Sequence, residues 1–243
     1  MSILELDVTN DRSIKDCVAT IMSNEGHIDI LVNNAGITHY SPTIELPDAE
    51  GRAIIDTNFF GLINVTKAVS KIMIDQRSGL IVQLGSVSGL VANPFCAMYC
   101  ASKAAVHAWS DALRMELAPF DIKVVIVKPG CVKTELANNA IPEMNLRLDS
   151  YGTLYERIRE YIIKRSTYSQ ERGITAKQFA DQTITAVLRD NPPAHFAAAP
   201  LATLMRIFSH LPSWASDYFL SRICGLDKLA QMVKRETQHQ HQQ

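Results

Sequence analysis

The sequence predicts an α/β fold, a parallel sheet with helices on both faces, from three observations. Short β-rich apolar runs alternate with longer stretches of helical periodicity. The runs end in small polar residues, as at Asn33-Asn34-Ala35-Gly36 and Gly85-Ser86-Val87-Ser88-Gly89, the mark of strands opening into loops. Strand, helix and strand follow on short connections, and right-handed crossovers then place helices on both sides. A length of 243 residues, 47% hydrophobic and 20% charged, suits one globular unit with a large core.

Each element follows from local pattern. Ile3-Leu4-Glu5-Leu6-Asp7-Val8 reads as a short first strand, and Thr9-Asn10-Asp11 caps a helix carrying Ile14, Val18, Ile21 and Met22 at helical spacing. Ile28-Asp29-Ile30-Leu31-Val32 is the next strand. Residues 48–75 read as one long helix whose apolar face holds Ile54, Phe59, Ile63 and Val69. Leu80-Ile81-Val82-Gln83-Leu84 and Ile122-Lys123-Val124-Val125-Ile126-Val127 are buried strands, with a helix from about Phe95 to Pro119 between them. Further helices are expected through Tyr155 to Ile163 and over residues 175–189, then a last strand at His195-Phe196-Ala197-Ala198-Ala199.

The chemistry centres on Tyr99 and Lys103, four residues apart in a stretch rich in helix formers. On a helix that spacing sets phenol and ammonium on one face. Tyrosine titrates near ~10 and lysine near ~10.4, so a cation beside the phenol draws the tyrosine toward working pH. Tyr99 is therefore a candidate general acid/base. Ser86 ends a strand, where open α/β sheets hold their ligands. Asn58 has an amide that must find partners, and a carbonyl or water held there could relay protons.

Composition excludes other classes. A net charge of −1 with no block of like charge speaks against nucleic acid as a partner. Cys17, Cys96, Cys100, Cys131 and Cys224 lack metal-ligand spacing and read as reduced thiols of a cytosol-facing protein. His27, His39, His107, His195 and His210 are scattered, so no metal site is expected and they read as surface or core residues. Met1-Ser2-Ile3-Leu4-Glu5 carries no signal-peptide pattern.

Five signals in this order resemble the short-chain dehydrogenase/reductase family: Asn33-Asn34-Ala35-Gly36, Asn58, Ser86, Tyr99-x-x-x-Lys103, and the stretch from Lys128-Pro129-Gly130 to Thr134. The resemblance implies a Rossmann-like doubly wound parallel sheet over residues 1–195 and oxidoreduction of an alcohol or ketone. It implies that Tyr99 moves the proton, that Lys103 lowers its pKa and holds the nicotinamide ribose, and that Ser86 orients the carbonyl. Asn58 matches the asparagine that anchors a relay water. Cofactor contacts fall by resemblance on Asp7 at the adenine, on Asn33, Ala35 and Gly36 over the adenosine ribose, and on Val132 and Thr134 beside the nicotinamide. Asp7 could instead cap the following helix, and Thr134 could simply start a loop.

One departure is serious: the family's glycine-rich phosphate turn, T-G-x-x-x-G-x-G, is absent. The pattern begins at the family's third strand, so the expected sheet is cut before that strand and has a hole at its centre. The residue that separates NAD from NADP belongs to the same missing part.

Beyond Thr134, apolar residues interleave with Arg157, Arg159, Lys164 and Arg165, which could cover an acyl chain and receive an anionic head. Leu201, Leu204, Met205 and Phe208 share a helical face that Trp214 and Tyr218 extend, and no run there reaches the ~18 residues of a spanning helix. Residues 196–230 thus read as an amphipathic extension for a membrane interface, a dimer face or a pocket wall, and residues 231–243 as a disordered polar tail. Asn93-Pro94-Phe95, Glu116-Leu117-Ala118-Pro119-Phe120 and the stretch from Met205-Arg206 to Leu226-Asp227-Lys228 resemble one group within the family, the fungal 1-acyldihydroxyacetone-phosphate reductases. That likeness implies NADPH, a lipid ketone substrate on the way to phosphatidic acid, and an endoplasmic-reticulum or lipid-droplet surface facing the cytosol. Rival readings are a cytoplasmic enzyme, a retinol or hydroxysteroid dehydrogenase of the same fold, or a non-catalytic lipid-surface protein. A homodimer is compatible with each.

Overall fold

The computed structural model describes residues 2–150 and 154–240. Its strands are β1 (Ile30–Asn33), β2 (Gly79–Leu84), β3 (Ile122–Pro129), β4 (Val132–Lys133), β5 (Ile174–Thr175) and β6 (His195–Ala198). Four of them form one parallel sheet in the order β1-β2-β3-β6, while β4 and β5 pair separately. Helices α1 (Asp11–Glu25), α2 (Asp48–Ile55), α3 (Leu62–Gln76) and α4 (Ala97–Leu117) precede β3. After it come α5 (Glu135–Ser150), α6 (Arg159–Arg172), α7 (Ala176–Val187), α8 (Ala202–Phe208), α9 (Ser213–Ile223) and α10 (Leu226–Gln240).

Alternation along the strands separates two faces. Register sets Ile81 beside Val124 and Val82 beside Val125. Ile81, Ile122 and Val124 pack on Ile14 of α1, Val65, Val69 and Met73 of α3, and Leu117 of α4. On the other face Leu80, Val82, Val125 and Val127 meet Val187 and Phe179 of α7. Cover on that side is incomplete at β1, where Ile30 and Val32 remain 44% and 54% exposed. A third cluster joins the start of α4, α5, α6 and Cys224 through Phe95, Met144, Ile158 and Ile162.

Helix ends follow local chemistry. Asn10 caps α1 by accepting from the N–H groups of Arg12 and Ser13, and α1 stops at Gly26 with φ 77°. Thr175 and Gln178 form a capping box on α7. The helix expected over residues 48–75 is interrupted by a π-turn at Asp56–Gly61 that holds Asn58, an irregularity frequent at functional sites.

Two expectations are corrected. Residues 3–8 form no strand, and Ile3 is 86% exposed. A strand forms only by pairing with a sheet edge, and this segment is tied instead to α1, with Asp7 N–H donating to Ser13 Oγ at 2.9 Å and Val8 lying against Gly61. The expected central gap is accordingly not seen, and β1 is an edge of a continuous sheet. The tail expected to be disordered from residue 231 is helical through Gln240, because Leu226 and Leu229 pack on the third cluster and Arg157 pairs with Glu236 at 2.6 Å. Residues 241–243 lie outside the described residues.

A buried polar network couples β1, β2 and α3. Asn33 Nδ2 donates to Thr66 Oγ1 at 2.7 Å and Gln83 Oε1 at 3.0 Å, Gln83 Nε2 donates to Thr66 Oγ1 at 3.3 Å, and that hydroxyl donates to the Leu62 carbonyl at 2.7 Å. Thr66→Val keeps the shape and removes the shared hydroxyl, so it should cost about 1–3 kcal/mol in denaturant unfolding. A loss below about 0.5 kcal/mol would show that the network relaxes around the missing group.

Candidate active site

The site forms where α4 docks on the exit of β2. Lys103 Nζ donates to the Leu84 carbonyl at 2.7 Å, and one turn later His107 Nε2 accepts from the Ser86 N–H at 3.3 Å. Any side chain at Gly85 or Gly89 would collide with the His107 imidazole, so glycine at both positions permits the close approach. Ser86 Oγ accepts from the Ser88 N–H at 3.1 Å and is hydrogen-bonded to the Tyr99 hydroxyl. Ser86, Tyr99 and Lys103 thus meet on one wall, as their spacing predicts.

Burial dominates the electrostatics. It pushes the Tyr99 phenol well above its ordinary value, while the hydrogen bond from Ser86 works the other way. Burial also draws the Lys103 ammonium down to about 8. The ammonium lies 5.7 Å from the Tyr99 ring centroid and gives its hydrogen bond to Leu84. The expected lowering of the Tyr99 pKa by Lys103 is therefore not what this arrangement displays: the phenol is held protonated, the state required of a proton donor.

Asn58 is fully buried and its amide is occupied. Oδ1 accepts from Ile37 N–H at 2.8 Å, and Nδ2 donates to the Ile37 carbonyl at 2.9 Å and to Ser102 Oγ at 3.0 Å. It clamps the loop after β1 to α4. In that loop a Cβ at Gly36 would stand 3.2 Å from Asn58 Oδ1 and 3.8 Å from Lys103 Nζ. Ala35, Gly36, Val132 and Thr134 line, with Ser86 and Tyr99, a cavity of about 1360 Å³.

Two predicted cofactor contacts are not brought to this cavity. Asn33 turns under the sheet into the Thr66–Gln83 network, since the alternate residues of β1 face α3. Asp7 holds Thr9 in a turn before α1, accepting from its N–H at 2.9 Å and its hydroxyl at 2.7 Å. A nicotinamide riboside fits the remaining set, because Gly36 leaves open the space that a Cβ would occupy beside Lys103. The pyrophosphate end has no matching glycine-rich helix start in the sequence. The sequence marks His107 only as a surface or core histidine. Its position four residues after Lys103 and eight after Tyr99 puts it on the same helical face, the signal that marks it.

Residues 1–145 match the short chain dehydrogenase family, and the chain belongs to it. Members are oxidoreductases acting on alcohol or ketone groups with a nicotinamide cofactor. Among its relatives is a 3-ketodihydrosphingosine reductase of Bacteroides thetaiotaomicron, 34% identical over 216 residues, 88% of this chain and 78% of that protein. Another is the NADPH-dependent 1-acyldihydroxyacetone phosphate reductase of Saccharomyces cerevisiae, 29% identical over 235 residues, 95% of this chain and 77% of that one. A short-chain dehydrogenase structure from Streptomyces avermitilis aligns with a TM-score of 0.65 at 23% identity over 95% of this chain and 80% of that one, a likeness of fold.

Burial, with the charges of Lys128 and Lys103, holds the His107 pKa down to about 4, whereas an unfolded histidine titrates near ~6.5. A depressed folded value means that the contribution is complete above about pH 6.5 and is lost as the pH falls toward about 4. The full span corresponds to about 3 kcal/mol. His107→Gln should flatten the acid side of the stability–pH curve between those values, measured by urea unfolding. Parallel curves for the two proteins would show that His107 does not stay neutral in the fold.

Proposed function

We propose that the chain reduces the ketone of a lipid-like substrate with NADPH, the specific reaction being 1-acyldihydroxyacetone phosphate to 1-acylglycerol 3-phosphate. The observation that carries this is that Ser86, Tyr99 and Lys103 open on a large cavity whose lining also includes the apolar Leu136, Leu204, Met205 and Leu220. The relatives named for a keto-sphingoid base and for an acylated ketone phosphate support a lipid ketone. Ala35, Gly36, Val132 and Thr134 would hold the nicotinamide riboside, with the Lys103 ammonium at its ribose. A bound reduced nicotinamide supplies the hydride. The Ser86 hydroxyl donates to the substrate carbonyl and fixes its direction, its oxygen already accepting from Ser88. Tyr99 gives its proton to the forming alkoxide, its phenol being protonated at neutral pH. Asn58 acts as a positioning residue, holding Ile37 and Ser102 so that loop and helix keep their spacing. Tyr99→Phe should lower NADPH-dependent ketone reduction by ~10²- to 10⁴-fold with the fold unchanged by circular dichroism. Retention of more than about a tenth of the rate would remove Tyr99 from the donor role.

The surface where this reaction would run is proposed to be the cytosolic face of endoplasmic reticulum and lipid droplets. Among the described residues no helix is long and apolar enough to cross a membrane. The expected interfacial face changes in one respect: Leu201 and Met205 turn to the cavity wall, and Phe208 packs edge-on against Phe219 with centroids 5.5 Å apart. Leu204, Trp214 and Tyr218 of the expected face are exposed, joined by Ile207, Leu211, Phe219 and Ile223 on α8, α9 and their junction, with Trp214 71% exposed. Such a set suits a lipid interface, where binding grows with buried apolar area. Changing Ile207, Leu211 and Trp214 to Asp together removes about 1.5–3 kcal/mol of burial for each side chain, so sedimentation with phosphatidylcholine vesicles should fall to background. Undiminished sedimentation by a folded triple variant would sink this surface.

A further inference from the structure

Of the four cations that the sequence sets among the apolar residues of the substrate region, the structure disposes of two at once. Arg157 pairs with Glu236 and Arg159 with Asp149, both at 2.6 Å. Lys164 is exposed at the cavity edge. Arg165 differs. It lines the cavity, and among the described residues no carboxylate pairs with it. Its contacts are weak ones: Nη2 lies 3.8 Å from Cys96 Sγ, and the guanidinium stands 5.9 Å from the Tyr40 ring centroid. Burial works against its charge, and the groups that face it include the Cys96, Cys100 and Cys224 thiols and the Tyr40 phenol. A guanidinium offers five donors in a planar fork suited to carboxylate or phosphate, and a buried charge without a counter-ion is costly. Cys96 and Tyr40 also neighbour Tyr99, so this unpaired fork opens beside the proton donor.

We infer that Arg165 is the receptor for an oxyanion head, phosphate or carboxylate, on a substrate whose ketone lies at Tyr99 and whose tail runs along the apolar wall from α8 and α9. This rests on reading the cavity as the ketone site, and it adds the residue that receives and selects the substrate's charge. The anion binds through charge-assisted hydrogen bonds from Nη1 and Nη2, the geometry in which such contacts are strongest. Arg172, which stacks 5.7 Å from the Tyr168 ring centroid and also lines the cavity, adds positive potential along the entry.

The test uses three probes with one tail: dodecyl phosphate, dodecanoate and dodecanol, titrated calorimetrically below their micelle concentrations into the full chain. The wild-type protein should bind at least one anion on the order of 10- to 100-fold more tightly than dodecanol, the scale of one charge-assisted hydrogen bond. Whichever anion binds more tightly identifies the source of the oxyanion. Arg165→Met should bring the anions down to the alcohol's affinity and leave dodecanol unchanged, while Arg165→Lys restores part of the difference. Equal binding of alcohol and anions by the wild type overturns the inference even if no variant folds, and so does unaltered anion binding in a folded Arg165→Met. Ketone turnover separates the two readings. Arg165-dependent anion binding without turnover leaves the receptor and removes the reductase, whereas equal turnover of neutral and anionic ketones by wild type and Arg165→Met does the reverse.

Discussion

The clasp between α4 and the exit of β2 is the contact on which the site depends. A single helical face delivers Tyr99, Lys103 and His107 to the end of one strand, where Lys103 meets the Leu84 carbonyl and His107 meets the Ser86 N–H. Both contacts satisfy backbone groups that would otherwise be left unpaired at a buried strand end. The two glycines around Ser86 let the helix approach closely enough to make them. Binding and catalysis are thereby coupled to stability, because a helix that slid by one turn would lose the hydrogen bonds and the acid/base pair together.

Burial at this clasp has a price that the chemistry uses. Removing Tyr99 and Lys103 from water favours their neutral forms, so the phenol keeps its proton and the ammonium is drawn toward neutrality. The Asn58 clamp contributes by fixing the loop that carries Gly36 at a set distance from Lys103. A π-turn rather than a regular helix presents that amide.

The cavity arises from a different cause. Helix α7 covers the sheet beside β3 and β6 and leaves the β1 side open, while α8 and α9 close over the carboxyl ends of the strands with apolar side chains. The same helices carry exposed apolar residues on their outer side. Arg165 stands beside Cys96 at the start of α4.

Local pattern was enough to read the alternation of strands and helices, the caps of α1 and α7, and the trio Ser86, Tyr99 and Lys103, because spacing within one helix or at one strand end is a property of consecutive residues. Pairing was another matter. Residues 3–8 have the composition of a strand, yet a strand exists only where it pairs, and this segment is tied to α1 rather than to the edge at β1. Residues 231–240 look like a polar tail until Leu226 and Leu229 find the third cluster. Asn33 and Asp7 matched a motif but point elsewhere, since the direction of a side chain depends on which face of the sheet is covered. The role of His107 and the lack of a carboxylate at Arg165 among the described residues likewise required three dimensions. Helical spacing places a charge on a face, but only the packed structure decides whether a carboxylate, a sulfur or an open cavity lies opposite it.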